Sequence, residues 1–180
     1  MFILVSHVSR GGKANILNHG TRTPTCPMGD GSLPREILGN SQSEVVADLC
    51  LELAKQGGFF TVENPYDSSL WISVSMRRLT SKVATFTSTF DMCSYGLQLP
   101  GATCDEYCRK RTSLLSNVAS VRSLDRLCPG VSGVYVHRRA WGHRRVAGRS
   151  VSMAEAAGHY PRDFCNALAQ VVIRELNVRQ

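Results

Sequence analysis

Hydrophobic positions along this chain come in short runs divided by polar stretches rich in glycine and proline. Phe2-Ile3-Leu4-Val5 is continuously apolar and predicts a buried strand at the very start of the chain, as expected if the chain is a fragment of something larger. Residues 6–42 are mostly polar, with Pro24, Pro27, Pro34 and glycines at 12, 20, 29, 31 and 39, and predict a long functional or mobile loop. Val45, Val46, Leu49, Leu51, Leu53 and Ala54 then predict an amphipathic helix over 44–56, with Ser43 as N-cap and Gly57-Gly58 as the stop. The helix leads directly into Phe59-Phe60-Thr61-Val62-Glu63, a strand that presents Glu63 and Asn64 at its tip before Pro65.

A short helix is predicted over 70–79, with Arg77 and Arg78 in its last turn, and a strand over 83–90 that ends at Asp91-Met92-Cys93-Ser94-Tyr95-Gly96. Residues 97–109 read as a loop, 112–115 as a short strand and 121–127 as a helical turn or two stopped by Pro129-Gly130. Val134-Tyr135-Val136 is strand-like, and Ser152-Met153-Ala154-Glu155 resembles a helix start. A last helix over 162–176 carries Phe164, Leu168, Val171, Val172 and Leu176 at helical spacing, which directs it onto a sheet. This succession predicts one α/β domain over residues 1–180, a Rossmann-like sheet with flanking helices. In open α/β sheets ligands bind at the C-terminal ends of strands, so Glu63 and Asn64 become candidate catalytic residues. Trp71 is expected to pack under the loop that follows Pro65.

Charge changes this picture more than composition does. The net charge is +7, carried by seventeen arginines and four lysines, and arginine is the side chain whose fixed fork of donors suits phosphate. Residues 109–149 hold ten of these cations (Arg109, Lys110, Arg111, Arg122, Arg126, Arg138, Arg139, Arg144, Arg145 and Arg149) against the single acid Asp125. Such a field recruits polyanions, nucleic acid above all, although a solvated basic face produces the same composition. Seven cysteines, an odd number without a signal-peptide pattern, point to reduced thiols in an intracellular protein, nuclear or cytoplasmic, and no apolar run reaches membrane-spanning length.

Glu63-Asn64-Pro65, Trp71, Asp91-Met92-Cys93-Ser94-Tyr95-Gly96, Lys110-Arg111-Thr112, Leu115-Ser116-Asn117, Leu127-Cys128, His137, Gly142 and Ala157-Gly158-His159-Tyr160-Pro161 follow one another in an order that resembles a known family. The order is similar to that of methyltransferase-like domains in retroelement-type open reading frames, distant relatives of DNA cytosine methyltransferases. It runs from about Val5 to Val172. The resemblance implies a DNA partner, an S-adenosylmethionine cofactor, and a base-holding role for the carboxyl group at Glu63. It also implies a Pro-Cys before a Ser-Arg, whose cysteine attacks carbon 6 of cytosine. Ser9 and Arg10 match the Ser-Arg, but Leu4-Val5-Ser6-His7-Val8 supplies neither proline nor cysteine, and a thiolate is the far better nucleophile near neutral pH. The methyl-donor site of such folds uses a glycine-rich turn in the first strands, whereas Gly11-Gly12 follows the wrong strand. The chain therefore reads as the latter half of a methyltransferase fold lacking its first strands, truncated or inactive, with Arg10, Arg109, Lys110, Arg111, Arg138, Arg139, Arg144 and Arg145 facing nucleic acid. The alternative is a non-catalytic α/β binding or structural module that takes up no methyl donor.

Zinc is the rival chemistry. Cys104 and Cys108, with Cys128, His137 and His143 downstream, supply suitable donors, but their spacing is looser than paired Cys-x-x-Cys knuckles, and small buried thiols with surface histidines are the preferred reading, with no metal. A Ser6, His7, Asp91 triad lacks a nucleophile elbow.

Overall fold

The structure, a computed structural model, describes residues 2–5, 19–128, 130 and 136–178, the first strand by its backbone alone. The readings placed on Ser6, His7, Ser9, Arg10, Gly11-Gly12, Pro129 and Val134-Tyr135 lie outside the described residues. The architecture is mixed α/β, with small sheets and helices. By chain contacts it divides into two compact units, residues 1–88 with 113–122, and residues 89–112 with 123–180.

In the first unit β1 (Phe2–Val5) pairs in parallel with β2 (Phe60–Pro65), in a register that sets Phe2 opposite Phe60 and Val5 opposite Glu63. Between them runs α1 (Pro34–Lys55), which supplies the crossover that parallel neighbours require. The helix begins ten residues before its predicted start, so the stretch expected to be loop up to residue 42 is helical from Pro34. Proline at the first helical position loses only an N–H that no helix uses, and Glu36 in the first turn complements the dipole. The preceding segment also holds the extension in place. Glu36 is fully buried and accepts from the Thr21 N–H (2.9 Å) and the Thr21 hydroxyl, while Arg22 Nη2 donates to Glu36 O (3.0 Å) and Asn40 Oδ1 (2.8 Å). A Cβ at Gly39 would lie 2.9 Å from Arg22 Nη2, so the helix carries glycine where the guanidinium crosses it. Ser43, expected as the cap, is a buried mid-helix residue whose hydroxyl donates to Asn40 O and accepts from Ser75.

The buried stripe of α1 is Val46, Ala47 and Cys50, and Val45 and Leu49 face solvent. The predicted apolar face is thus only partly the buried one: Val46 lies in the core and Leu51, Leu53 and Ala54 pack against it, while Ala47 and Cys50 take the places expected for Val45 and Leu49. With Phe60 and Val62 of β2, Leu70, and Met76 and Leu79 of α2 (Val74–Lys82), these residues form the core of the unit, which Leu115 completes. The turn ahead of α2 is a 3-10 helix, Ser69–Ile72, and Ser73 caps α2 by accepting from the Met76 N–H.

Two strands pass from one unit into the other, β3 (Phe86–Asp91) and β5 (Arg111–Ser116). The four-stranded sheet has the order β1-β2-β5-β3. Asn117, just past the end of β5, donates to Gly58 O (2.9 Å) and accepts from Phe60 N (3.0 Å) at the start of β2, so β5 runs against β2. Met92 N, just past the end of β3, donates to Lys110 O just before β5, so these two are also antiparallel.

The second unit adds β4 (Glu106–Cys108), inside the predicted loop, paired in parallel with β6 (Val136–Arg138). An antiparallel hairpin follows, β7 (His143–Val146) and β8 (Arg149–Ser152), where the sequence shows only a basic run. Its two central turn residues, Ala147 and Gly148, have φ of 49° and 79°, the positive pair of a type I′ turn, whose twist matches that of the strands. Ser152 then caps α3 (Met153–Ala156), as its sequence predicts. The last helix, α4 (Arg162–Val178), buries Phe164, Leu168 and Val171, while Leu176, expected on the packed face, is exposed. Phe164 stacks on Phe90 of β3 (ring centroids 4.9 Å) and meets Tyr95 edge-on (5.5 Å), so this helix packs on the sheet through an aromatic cluster.

Candidate functional site

Three places bring chemistry-bearing side chains together. At the tip of β2, Glu63 and Asn64 are both buried, at 3% and 1% exposure, because the strand is covered on both faces. Glu63 lies opposite Val5, the last residue of β1, at the C-terminal end of the parallel pair, the position at which parallel sheets receive ligands. The turn beyond is well tied. Pro65 O accepts from the Ser68 N–H (3.0 Å) and from Trp71 Nε1 (2.8 Å), and Trp71 packs against the core, so the ring lies where the sequence places it. The turn residues Tyr66-Asp67-Ser68 include no glycine, so this strand tip offers no glycine cradle for a methyl donor, and the turn after β1 lies outside the described residues.

At the tip of β3, Asp91 is fully buried and gathers cations. Arg111 forms a two-pronged pair with it, Nε to Oδ1 and Nη2 to Oδ2 both at 3.0 Å, and Arg109 Nε lies 3.3 Å from Oδ1. The Cys128 N–H donates to Oδ2 at 3.0 Å. Burial pushes the Asp91 carboxyl group up, but the hydrogen bonds from Arg111 and Cys128 and the charge of Arg109 outweigh it and hold the carboxyl below its ordinary pKa. Beyond Asp91 the chain turns through a 3-10 helix, Met92–Tyr95, which carries Cys93. Cys128 Sγ lies 3.3 Å from His137 Nε2, and the ligating atoms of Cys93, Cys128 and His137 all fall within 4.8 Å of one another.

Of the zinc donors considered from sequence, the structure therefore unites Cys128 and His137 and adds Cys93. Cys108 is buried in β4, where burial raises its thiol pKa. Cys104 is exposed and donates to Asp105 Oδ2 (3.3 Å), which raises its pKa as well. His143 is exposed on β7. In the sequence Cys93 is only one polar residue at a strand tip. No spacing rule reaches it, because 34 residues separate it from Cys128.

The basic segment is sorted by its partners. Arg109 and Arg111 serve Asp91, Lys110 lies over the Tyr160 ring (5.4 Å to its centroid), and Arg138 pairs with Glu106, joining β6 to β4. Arg122 and Arg126 lie over the rings of Phe86 and Tyr95. Arg139, Arg145 and Arg149 are exposed, Arg144 is half-buried, and Trp141 beside them is 75% exposed. Arg10 is outside the described residues. Among the described residues no helix is long and apolar enough to cross a membrane. Compared with protein-family models, curated proteins and solved structures, the chain matches none of them.

Proposed function

We propose that this chain is a DNA-binding domain on a methyltransferase-like scaffold, and that its binding surface is the arginine-bearing hairpin β7–β8 with Arg139 and Trp141 leading into it. The observation that carries the reading is the exposure of Arg139, Trp141, Arg145 and Arg149, with Arg144 half-buried among them. A type I′ hairpin sets Arg144, Arg145 and Arg149 on a short two-stranded ribbon, and a largely exposed indole stands at its entrance. Guanidinium groups supply phosphate contacts, and a free aromatic face supplies stacking. Arg109, Arg111 and Arg138 each pair directly with an acid of the protein and Arg144 lies within electrostatic reach of Glu106, so the hairpin, through Arg145 and Arg149 above all, rather than the whole 109–149 segment is the proposed contact.

The scaffold half of the proposal rests on the resemblance in motif order and gains support from the sheet. A helix-linked parallel pair, β1 and β2, ends at a buried acid, and a reversed strand lies between β2 and β3. Mixed sheets of this kind are common among doubly wound folds. Glu63 is then the retained base-holding carboxyl of a pocket that lacks its cysteine nucleophile. The proposal is for binding rather than turnover, and no residue is assigned to S-adenosylmethionine.

Titration of labelled duplex DNA between about 50 and 200 mM salt tests the proposal, with log K expected to fall linearly against log salt. The changes R144A, R145A and R149A should each weaken binding and reduce the slope by about 0.9 for every phosphate no longer neutralised. Affinity unaffected by all three changes, or by salt, would overturn the proposed surface. Uptake of S-adenosylmethionine in calorimetry, together with methyl transfer to the duplex, would replace the binding reading with an enzymatic one.

A further inference from the structure

We propose that Cys93, Cys128 and His137 form a zinc site, with water at the fourth coordination position. No part of the DNA-binding reading requires it. The donor set is two thiols and one imidazole whose ligating atoms already lie within 4.8 Å of one another. Ligands about 2.0–2.3 Å from a shared zinc ion stand roughly 3.3–3.8 Å apart at tetrahedral angles. The 3.3 Å between Cys128 Sγ and His137 Nε2 matches that spacing.

Each ligand is set by a separate backbone device. Cys93 lies in the 3-10 turn Met92–Tyr95, which is closed by hydrogen bonds from Gly96 N to Cys93 O (3.0 Å) and from Leu97 N to Met92 O (3.0 Å). Cys128 is fixed through its own N–H, which the buried Asp91 carboxylate accepts, and that carboxylate is held by two arginines. His137 is the central residue of β6, opposite Tyr107 of β4, and the neighbouring Arg138–Glu106 pair secures the strand. Three donors from three stretches of chain thus converge within 4.8 Å, and a small side-chain adjustment brings all three to zinc spacing. A carboxylate that holds the backbone of a metal ligand is the kind of outer support that orients such ligands. Among the described residues, the Cys128 thiol otherwise meets the Gly130 carbonyl, at a long 3.8 Å, and His137.

Two thiols and one imidazole suit zinc, a borderline-soft ion without redox chemistry, better than magnesium or calcium, which take oxygen ligands. On binding, Cys93 and Cys128 each lose a proton to the solvent and ligate as thiolates. His137 ligates through Nε2 with its remaining proton on Nδ1. The site carries no net charge once two thiolates balance the dication. Two protons are released for each zinc bound, and no electron transfer is involved.

Elemental analysis of the purified full chain should find one zinc per molecule. Cobalt(II) added to chelator-stripped protein should give a thiolate-to-cobalt charge-transfer band that saturates at one equivalent and bleaches when zinc is added, with two protons released to a pH indicator. C93S, C128S and H137Q should each weaken cobalt binding by about 10-fold or more, whereas C104S should leave it intact. Circular dichroism of each variant identifies loss of fold, and X-ray absorption of the zinc-loaded wild type, showing two sulfur and two nitrogen or oxygen neighbours, requires no variant. Absence of both copurified zinc and a cobalt band in the wild type would overturn the proposal, as would a band that depends on Cys104 instead. DNA binding by the hairpin is read separately by titration, so either proposal can fail alone.

Discussion

Asp91 shows how far one side chain can govern its surroundings. It is fully buried, pairs with two arginines that keep contact with solvent, and accepts from the Cys128 backbone. Removing the charge leaves that N–H and two guanidinium groups without their acceptor. We expect D91A to destabilise the protein by about 3 kcal/mol, at the lower end for breaking a buried pair because water reaches both arginines. The pH dependence follows from the direction of the shift. The folded carboxyl titrates below its unfolded counterpart, so its contribution is complete above the ordinary aspartate range and is lost as pH falls through that range toward the folded value. Acid unfolding followed by circular dichroism should show a steep limb there that D91N flattens. At this scale the sequence is only partly readable. Glu63 and Asn64 stand out because a run of strand formers ends in a carboxylate, an amide and a proline. Asp91, Arg109 and Arg111 are visible as an acid at a strand tip and as part of a basic run, but their pairing needs two strands to run side by side. A count of charges therefore overstates the cations left for a partner.

Among the elements, the β7–β8 hairpin is the least legible and the easiest to probe. Its strands are arginine-rich rather than alternating apolar, and its turn is Ala-Gly in place of the usual Asn-Gly or Asp-Gly, so neither hairpin signal shows. Ala147 at φ 49° carries a Cβ in left-handed backbone, at a cost of about 1 kcal/mol. A147N should recover roughly half to all of that, seen as a higher melting temperature with unchanged backbone pairing by hydrogen exchange. If the hairpin is the DNA surface, the same change should leave affinity at least as high. The early start of α1 escapes detection for a different reason. Proline and glycine read as punctuation in a linear chain, but here the proline occupies a first-turn position and the glycine makes room for Arg22. The strand at β2 and the helix start at Ser152 are legible because those signals are local, whereas the helix expected over 70–79 divides into a 3-10 turn and α2, which starts after Ser73.

For the molecule as a whole, the division into two units is the feature no sequence pattern discloses, since each is assembled from separated stretches of chain. The Cys93, Cys128 and His137 cluster belongs to the same class of fact, because its members come together only through folding. β2 is complete at residue 65 and β3 at residue 91, yet the strand lying between them in the sheet spans residues 111–116. During synthesis, two strand edges with unpaired backbone N–H and C=O groups therefore wait for a neighbour that is still being translated. Closing so long an interval raises contact order and slows folding. Ribosome-bound chains halted before residue 111 should bind chaperone and resist folding into a protease-stable form, whereas chains carrying residues through Asn117 clear of the exit tunnel should acquire protection in the 60–91 region. Protection of that region before the middle strand emerges would show that the sheet is assembled another way. A sheet whose central strand arrives last commits the nascent chain to a vulnerable interval, and the length of that interval is set by the order of strands along the gene.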